Sequence, residues 1–373
     1  MKQKIRTISF CIVLVVVFMG FLFGKPRTFS DMENRNLAQF PTFSVDSFFS
    51  GEFTSGIESY AADQIIAKDF LVTCQVGYSR LLGQSEVNGV YFGKDGYLIQ
   101  DFHEPGQQLT TNLNMLEAFV KKHGEDIPCY MLLAPNASYV YQDKLPRHGV
   151  VWSQAEVIEQ IKEALRDEVT VVDVADTLMA HKDEQLYFKT DHHWNANGAY
   201  YAYEQLCEEM GVEKRPKLDE NIKQIDSQGF LGSLYSKAPA FSQEADVLTY
   251  YENTKGNYEV AYLDEKNRVS DSFYETDMLK EKDQYKVFFG GNHSVFHMKS
   301  NGLHKKKVLV LKDSYANIML PYLADTFTDI TVIDLRYYNK RVDLLMEEEK
   351  FDVLLLCYNV DFLTTDKNFT KLR

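Results

Sequence analysis

The chain has 373 residues, 45% of them hydrophobic and 25% charged, a composition that excludes disordered and fibrous classes. Its 54 acidic and 40 basic residues give a formal charge of -14, which argues against holding nucleic acid or an anionic polymer by bulk electrostatics and serves solubility instead. The length allows one large domain or two modest ones.

The N-terminus opens with Lys2, Lys4 and Arg6, and the run from Thr7 to Gly24 then carries no charge. That run is about long enough to cross a bilayer, and the basic residues before it predict a cytoplasmic N-terminus. It ends in Phe-Leu-Phe-Gly-Lys-Pro rather than in a small-residue cleavage site, which predicts an uncleaved anchor. The expected order is a cytoplasmic tail (1–6), an anchor (7–24), a stalk (25–55) and an extracytoplasmic domain (56–373). Lys25 and Arg27 at the outer end reduce the charge asymmetry. Cys11, Cys74, Cys129, Cys207 and Cys357 form no C-x-x-C pair, so neither a disulfide framework nor a cysteine zinc site is expected.

Beyond the polar stalk, apolar residues at helical spacing predict a helix over 57–82. "NGVYFGKDGYLIQ", from Asn88, reads as a hairpin around Lys-Asp-Gly. "LNMLEAFVKKHG" is an amphipathic helix, "IPCYMLLAP" a buried strand, "QAEVIEQIKEALRDE" a helix and "VTVVDVADTL" another buried strand. The helix after "TDHHW" spans 197 to about 210. Strands alternating with helices predict a mostly parallel sheet covered on both faces. Tyrosine-rich alternating segments then predict an antiparallel insertion over about 213–304. The strand–helix rhythm returns with "VLVLKDSYANIMLPYL", "DITVIDLR" and "FDVLLLCYNV".

Two segments carry candidate chemistry. Ser314 follows the strand Val308–Leu311, at the carboxyl end where open α/β sheets bind ligands. The N–H groups of the following helix face the same space, which suits a nucleophile beside an oxyanion. Capping by Asp313 or Ser314 is the plainer alternative. In Asp191-His192-His193-Trp194, extended backbone would project Asp191 and His193 together and turn His192 away. A carboxylate that orients an imidazole, with a hydroxyl beyond it, is the nucleophile–base–orienter arrangement. Helix capping by Asp191 or Asn195 stays open, as does a metal held by Asp191, His192 and His193. The metal reading is weaker, because adjacent histidines rarely reach one ion, and no metal or other cofactor is expected.

"TDHHWNANGAYYAYEQL", followed far downstream by "VLVLKDSYANIMLPYL", resembles the DHHW protein family of Gram-positive bacteria. That family looks like a branch of the SGNH-hydrolase-like proteins of alginate and other exopolysaccharide O-acetylation. "ENRNLAQFP", "NGVYFGKDGYLI" and "VIDLRYYN" also look like it. The resemblance implies an SGNH-like α/β/α fold and a serine O-acetyltransferase or esterase acting on polysaccharide. It makes Ser314 the nucleophile, His193 the base and Asp191 the orienting acid, with Trp194 as the motif's tryptophan. It also implies a multi-pass membrane acyltransferase partner. Lys312-Asp313-Ser314-Tyr315 departs from the Gly-Asp-Ser of ordinary SGNH enzymes. Asn136, Asn292, Tyr315, Arg336 and Trp194 are candidates for oxyanion or substrate contacts, each with a capping, salt-bridge or packing alternative. The rival reading is a non-catalytic scaffold that binds polysaccharide or a membrane partner.

Overall fold

The computed structural model describes residues 2–124, 127–266 and 268–373. The chain divides into two compact units, Met1–Asn88 with Tyr235–Gln243, and Gly89–Leu234 with Glu244–Arg373.

In the first unit Lys2–Phe23 is one helix, and its mean hydropathy of 2.0 over Lys2–Phe21 makes it long and apolar enough to cross a membrane. A membrane anchor and a signal sequence both take this form. The segment expected to be an irregular stalk has structure of its own. Phe29–Ser30 pairs antiparallel with Arg35–Asn36, and a helix covers Val45–Phe49. Buried Asp63 accepts from Arg35 (2.6 and 2.9 Å), Lys68 (2.8 Å) and the Ala38 N–H (2.7 Å). Arg35 above all holds that carboxyl well below the usual range, against the cost of burial.

The helix expected over 57–82 is two helices, Glu52–Gln64 and Lys68–Leu81. The break falls at Ala67, whose φ of 57° is left-handed and cannot continue a helix. Just beyond it, Lys68 turns back onto Asp63 and Glu33. No glycine or proline marks the break in the sequence.

The second unit is built on an eight-stranded sheet. In chain order its strands are β1 (Cys129–Ala134), β2 (Thr170–Asp173), β3 (Tyr258–Tyr262), β4 (Arg268–Ser270), β5 (Val295–Ser300), β6 (His304–Lys312), β7 (Phe327–Ile333) and β8 (Val353–Asn359). Across the sheet they run β4-β3-β5-β7-β6-β8-β1-β2. The five from β7 to β2 are parallel, in the register Val308↔Ile330, Val308↔Val353 and Asn359↔Ala134. β5, β3 and β4 extend the β7 edge antiparallel. Much of the insertion expected over 213–304 is therefore continuous with the main sheet, and Ile222–Phe230 with Asp246–Asn253 forms a separate antiparallel pair. β2 is a four-residue edge strand with Thr170 exposed, less buried than its apolar sequence suggests.

Successive side chains of a strand point to opposite faces, so the apolar runs feed two cores. Val308, Val310, Leu355 and Cys357 pack on one face with Ala199, Tyr203 and Leu206 of helix Ala196–Met210. Leu309, Leu311, Leu354 and Leu356 pack on the other with Leu113, Leu116, Val157 and Ile161, from helices Gln107–His123 and Gln154–Leu165. Each such Leu or Val contributes about 1.5–3 kcal/mol by leaving water. The result is helix on sheet on helix, with the carboxyl ends of β1, β6 and β8 on one rim.

Candidate active site

The Asp191 segment is a tight loop closed at its base. Tyr187 bridges Trp194 antiparallel, and the Asn195 N–H donates to Leu186 O at 2.8 Å. Asn195 then caps the helix Ala196–Met210 by accepting from the Asn197 and Gly198 N–H groups. Buried Asp246 holds the loop from beneath, accepting from the Lys189 N–H, the Thr190 N–H and the Thr190 hydroxyl at 2.7–2.9 Å.

This loop brings the three predicted residues into one hydrogen-bonded line. His193 Nδ1 lies 2.6 Å from Asp191 Oδ1, and His193 Nε2 lies 2.8 Å from Ser314 Oγ. Asp191 and His193 are 4% and 5% exposed, while Ser314 is half-buried and reaches the surface. Asp191 also accepts the His193 N–H at 3.0 Å and the Ser233 N–H at 2.7 Å. Burial alone would raise its pKa. The adjacent His193 and His192 rings, the His193 ring hydrogen bond and the Ser233 N–H outweigh burial and hold the carboxyl below its ordinary range.

His192 does not turn away as expected. Its ring centroid is 3.8 Å from that of His193, and its Nδ1 is 2.6 Å from Ser233 Oγ. Asp191, His192 and His193 could each offer a ligand atom within 4.8 Å of the others, but both ring nitrogens of His193 are engaged with Asp191 and Ser314.

Ser314 stands at the end of β6, but the turn after it is a 3-10 turn, Ser314–Ile318, rather than an α-helix. The α-helix begins only at Leu320, with Pro321 in its first turn. Buried Asp313 shapes the corner. It accepts the Tyr315 N–H at 2.8 Å and the Asn359 N–H at 2.7 Å, so the Tyr315 N–H expected to face an oxyanion is already in use.

Trp194 is fully buried, and its Nε1–H donates to Tyr315 O at 2.8 Å. It is a strut between the two segments, with no surface for a substrate. The Tyr315 hydroxyl donates back to His192 O. Arg336 makes a two-pronged pair with Asp334 (2.6 and 2.9 Å), which is the salt-bridge alternative rather than a free cation. Asp334 also meets the wholly buried Lys312 at 3.3 Å. Burial works against the Asp334 carboxylate, but Lys312 and Arg336 keep it below the usual range. Asn292 Oδ1 accepts from Lys312 and Asn317, after a turn in which Phe289, Gly290 and Gly291 all have positive φ. Asn136 Oδ1 accepts from Asn359 Nδ2 at 2.6 Å, which orients its amide.

Three residues of the site carry no sequence signal. Tyr285 stacks on the His193 ring, with centroids 4.0 Å apart and planes 6° apart, and donates to Ser314 O at 3.0 Å. Gly232 and Ser233 pass directly against Asp191. A Cβ on Gly232 would lie 2.3 Å from the Asp191 Cβ and 2.4 Å from its Oδ2.

The family model described as DHHW protein matches residues 108–333, well over half of the chain and all of this site's line. This chain belongs to the DHHW family. Its four-residue signature is Asp191-His192-His193-Trp194. A DHHW family protein from Eubacterium siraeum is similar in structure, with 24% identity and a TM-score of 0.66 over 77% of this chain and 95% of that one. Bacillus cereus PatB1, solved with a sulfonyl adduct, is similar at 22% identity and a TM-score of 0.62, covering 75% and 97%. The O-acetyltransferase domain of Pseudomonas putida AlgJ is similar at 14% identity and a TM-score of 0.50, covering 76% and 95%. No curated protein matches the sequence. The fold of this DHHW protein is thus the SGNH-like three-layer α/β/α arrangement.

Proposed function

We propose that this chain is a membrane-anchored, extracytoplasmic O-acyl transferase or esterase, with acetyl as the acyl group and a cell-surface or secreted polysaccharide as the substrate. The observation that carries the reading is the unbroken line from Asp191 through His193 to Ser314, at 2.6 and 2.8 Å. Nucleophile, base and orienting carboxylate lie at hydrogen-bond distances, with the nucleophile alone reaching the surface. The shared fold with an O-acetyltransferase domain favours acetyl among acyl groups.

In this mechanism Ser314 Oγ gives its proton to His193 Nε2 and bonds to the acyl carbon. The tetrahedral oxyanion is met by the Ser314 N–H and by Asn136 Nδ2. Asn136 suits this role because Asn359 fixes its carbonyl end and, through its own N–H, Asp313. The departing alkoxide takes the proton from His193 and leaves an acyl-serine. A sugar hydroxyl or water then loses its proton to His193 and attacks the acyl carbon, and Ser314 recovers the proton. Water exclusion decides between transfer and hydrolysis. Asp191, held ionised, stabilises the imidazolium formed in each half. The apolar N-terminal helix supplies the anchor, and a multi-pass acyltransferase partner supplies the acetyl group across the membrane.

The test uses the full chain in detergent micelles. Wild type releases p-nitrophenol from p-nitrophenyl acetate and takes one phenylmethylsulfonyl group on Ser314. Ser314→Ala loses turnover by at least ~10³-fold and takes no label, with its melting temperature unchanged. Turnover that survives Ser314→Ala but is lost to a chelator overturns the serine mechanism. No turnover and no labelling in wild type favour the binding scaffold.

A further inference from the structure

A cavity of about 260 Å³ opens in the second unit, lined by Arg215, Tyr251, Asn253, Tyr258, Tyr322 and Asp325 among others. It is not at the triad. Asp325 lies just before β7, and its carbonyl accepts the Leu303 N–H just before β6. Ser314 follows the opposite end of β6. The nine-residue strand between them puts the cavity on the order of 20–30 Å from the nucleophile.

Its polar groups are left open. Tyr258 Oη (2.6 Å) and Asn253 Nδ2 (2.9 Å) both donate to Asp325 Oδ1, and Oδ2 has no hydrogen-bond partner among the described residues. Asp325 is nevertheless 7% exposed. Opposite in kind, Arg215 Nε is buried and has no partner among the described residues. The buried Arg215 Nε is costly unless an oxygen reaches it, and Asp325 Oδ2 is an acceptor that its neighbours leave to whatever enters the cavity. Gly256 lets the Tyr258 ring lie against it, since a Cβ there would lie 2.0 Å from the Tyr258 hydroxyl.

Aromatic faces beside a fixed carboxylate and a guanidinium match a sugar ring. The rings take its C–H face, while Asp325 and Arg215 take its hydroxyls. Glu252 and Asp271 also line the cavity, so with Asp325 they oppose an anionic sugar, and Arg215 opposes a quaternary ammonium. The volume, just under the usual range for small-molecule sites, suits one or two rings. We infer that this cavity is a second saccharide site, distinct from the Ser314 site, that holds an uncharged sugar unit. It does not depend on Ser314 being a nucleophile.

The test is saturation-transfer NMR on the full chain in a sugar-free detergent, with cellobiose, digalacturonate and choline chloride as probes. Cellobiose is expected to receive saturation, unchanged in Ser314→Ala. Arg215→Gln and Asp325→Asn should each weaken it at least fivefold at an unchanged melting temperature. Arg215→Gln keeps the test valid should Asp325→Asn unfold, because Nε has no bond to lose. Absence of transfer to cellobiose, transfer insensitive to Arg215→Gln, or a stronger response to digalacturonate or choline overturns the inference. The binding readout needs no turnover, so an inactive triad leaves it intact.

Discussion

Gly232 determines how near a second strand of chain can come to the buried Asp191 carboxylate. With a methyl group at 2.3–2.4 Å, either the Ser233 N–H or Asp191 itself must move. Gly232→Ala is therefore expected to cut ester turnover by at least ~10²-fold, the scale of a misplaced catalytic group. Ser233→Ala keeps the N–H bond and should lose less than ~10-fold. Measured kcat values for the two variants separate backbone approach from side-chain chemistry. Equal losses would sink this account of Gly232. Asp191, His193 and Ser314 were legible as candidates from their motif and from a strand end, although the extended, alternating geometry expected of the motif is instead a tight loop. Gly232 and Tyr285 were not, because an interatomic distance and a ring stack across more than forty residues leave no pattern in the sequence. Asn136 and Arg336 were legible as polar residues after strands and Asn292 as part of a tight turn, but which neighbour each one meets was not.

Between elements, the ends of β6 and β7 are tied by the buried Lys312–Asp334 contact, to which Arg336 adds from the half-exposed side. Asp334→Asn strands two cations and should cost about 3–5 kcal/mol. Lys312→Met leaves Asp334 paired with Arg336 and should cost clearly less. Denaturant unfolding of the two variants checks the order, and the reverse order would exclude Arg336 as the main partner. The central strands were legible from continuous apolar runs, since both faces are covered. The break at Ala67 was not, because it follows from Lys68 folding back onto Asp63 rather than from a helix-breaking residue. The edge position of β2 was equally silent, for an apolar run reads alike at the edge and at the centre.

Across the whole molecule, two histidines connect stability to pH. Burial, the main cause, lowers the pKa of His123 and of His297, whose Nδ1 lies 3.2 Å from Thr331 Oγ1. The unfolded chain binds their protons near pH 6.5, and the folded chain does so only at lower pH. Their contribution is thus complete above about pH 6.5 and falls as pH drops through the lowered values. Asp343, whose pKa is lowered to about 2 chiefly by Arg341, keeps its contribution until far more acidic conditions. Melting temperature should therefore fall between pH 7.5 and 5.5, and His123→Gln with His297→Gln should flatten that fall. An equal fall in the double variant would assign the effect elsewhere. The parallel core was legible from strand–helix alternation, whereas the joining of β3, β4 and β5 to its edge depends on pairings the sequence does not announce.

The Trp194 strut has a consequence in time. Trp194 Nε1 and the Tyr315 hydroxyl link positions 121 and 123 residues apart, and neither link can form until the intervening chain has folded. Such long-range closures come late in folding. Under the proposed mechanism, a partly made chain therefore carries an inert alcohol at Ser314, and reactivity waits for the finished architecture.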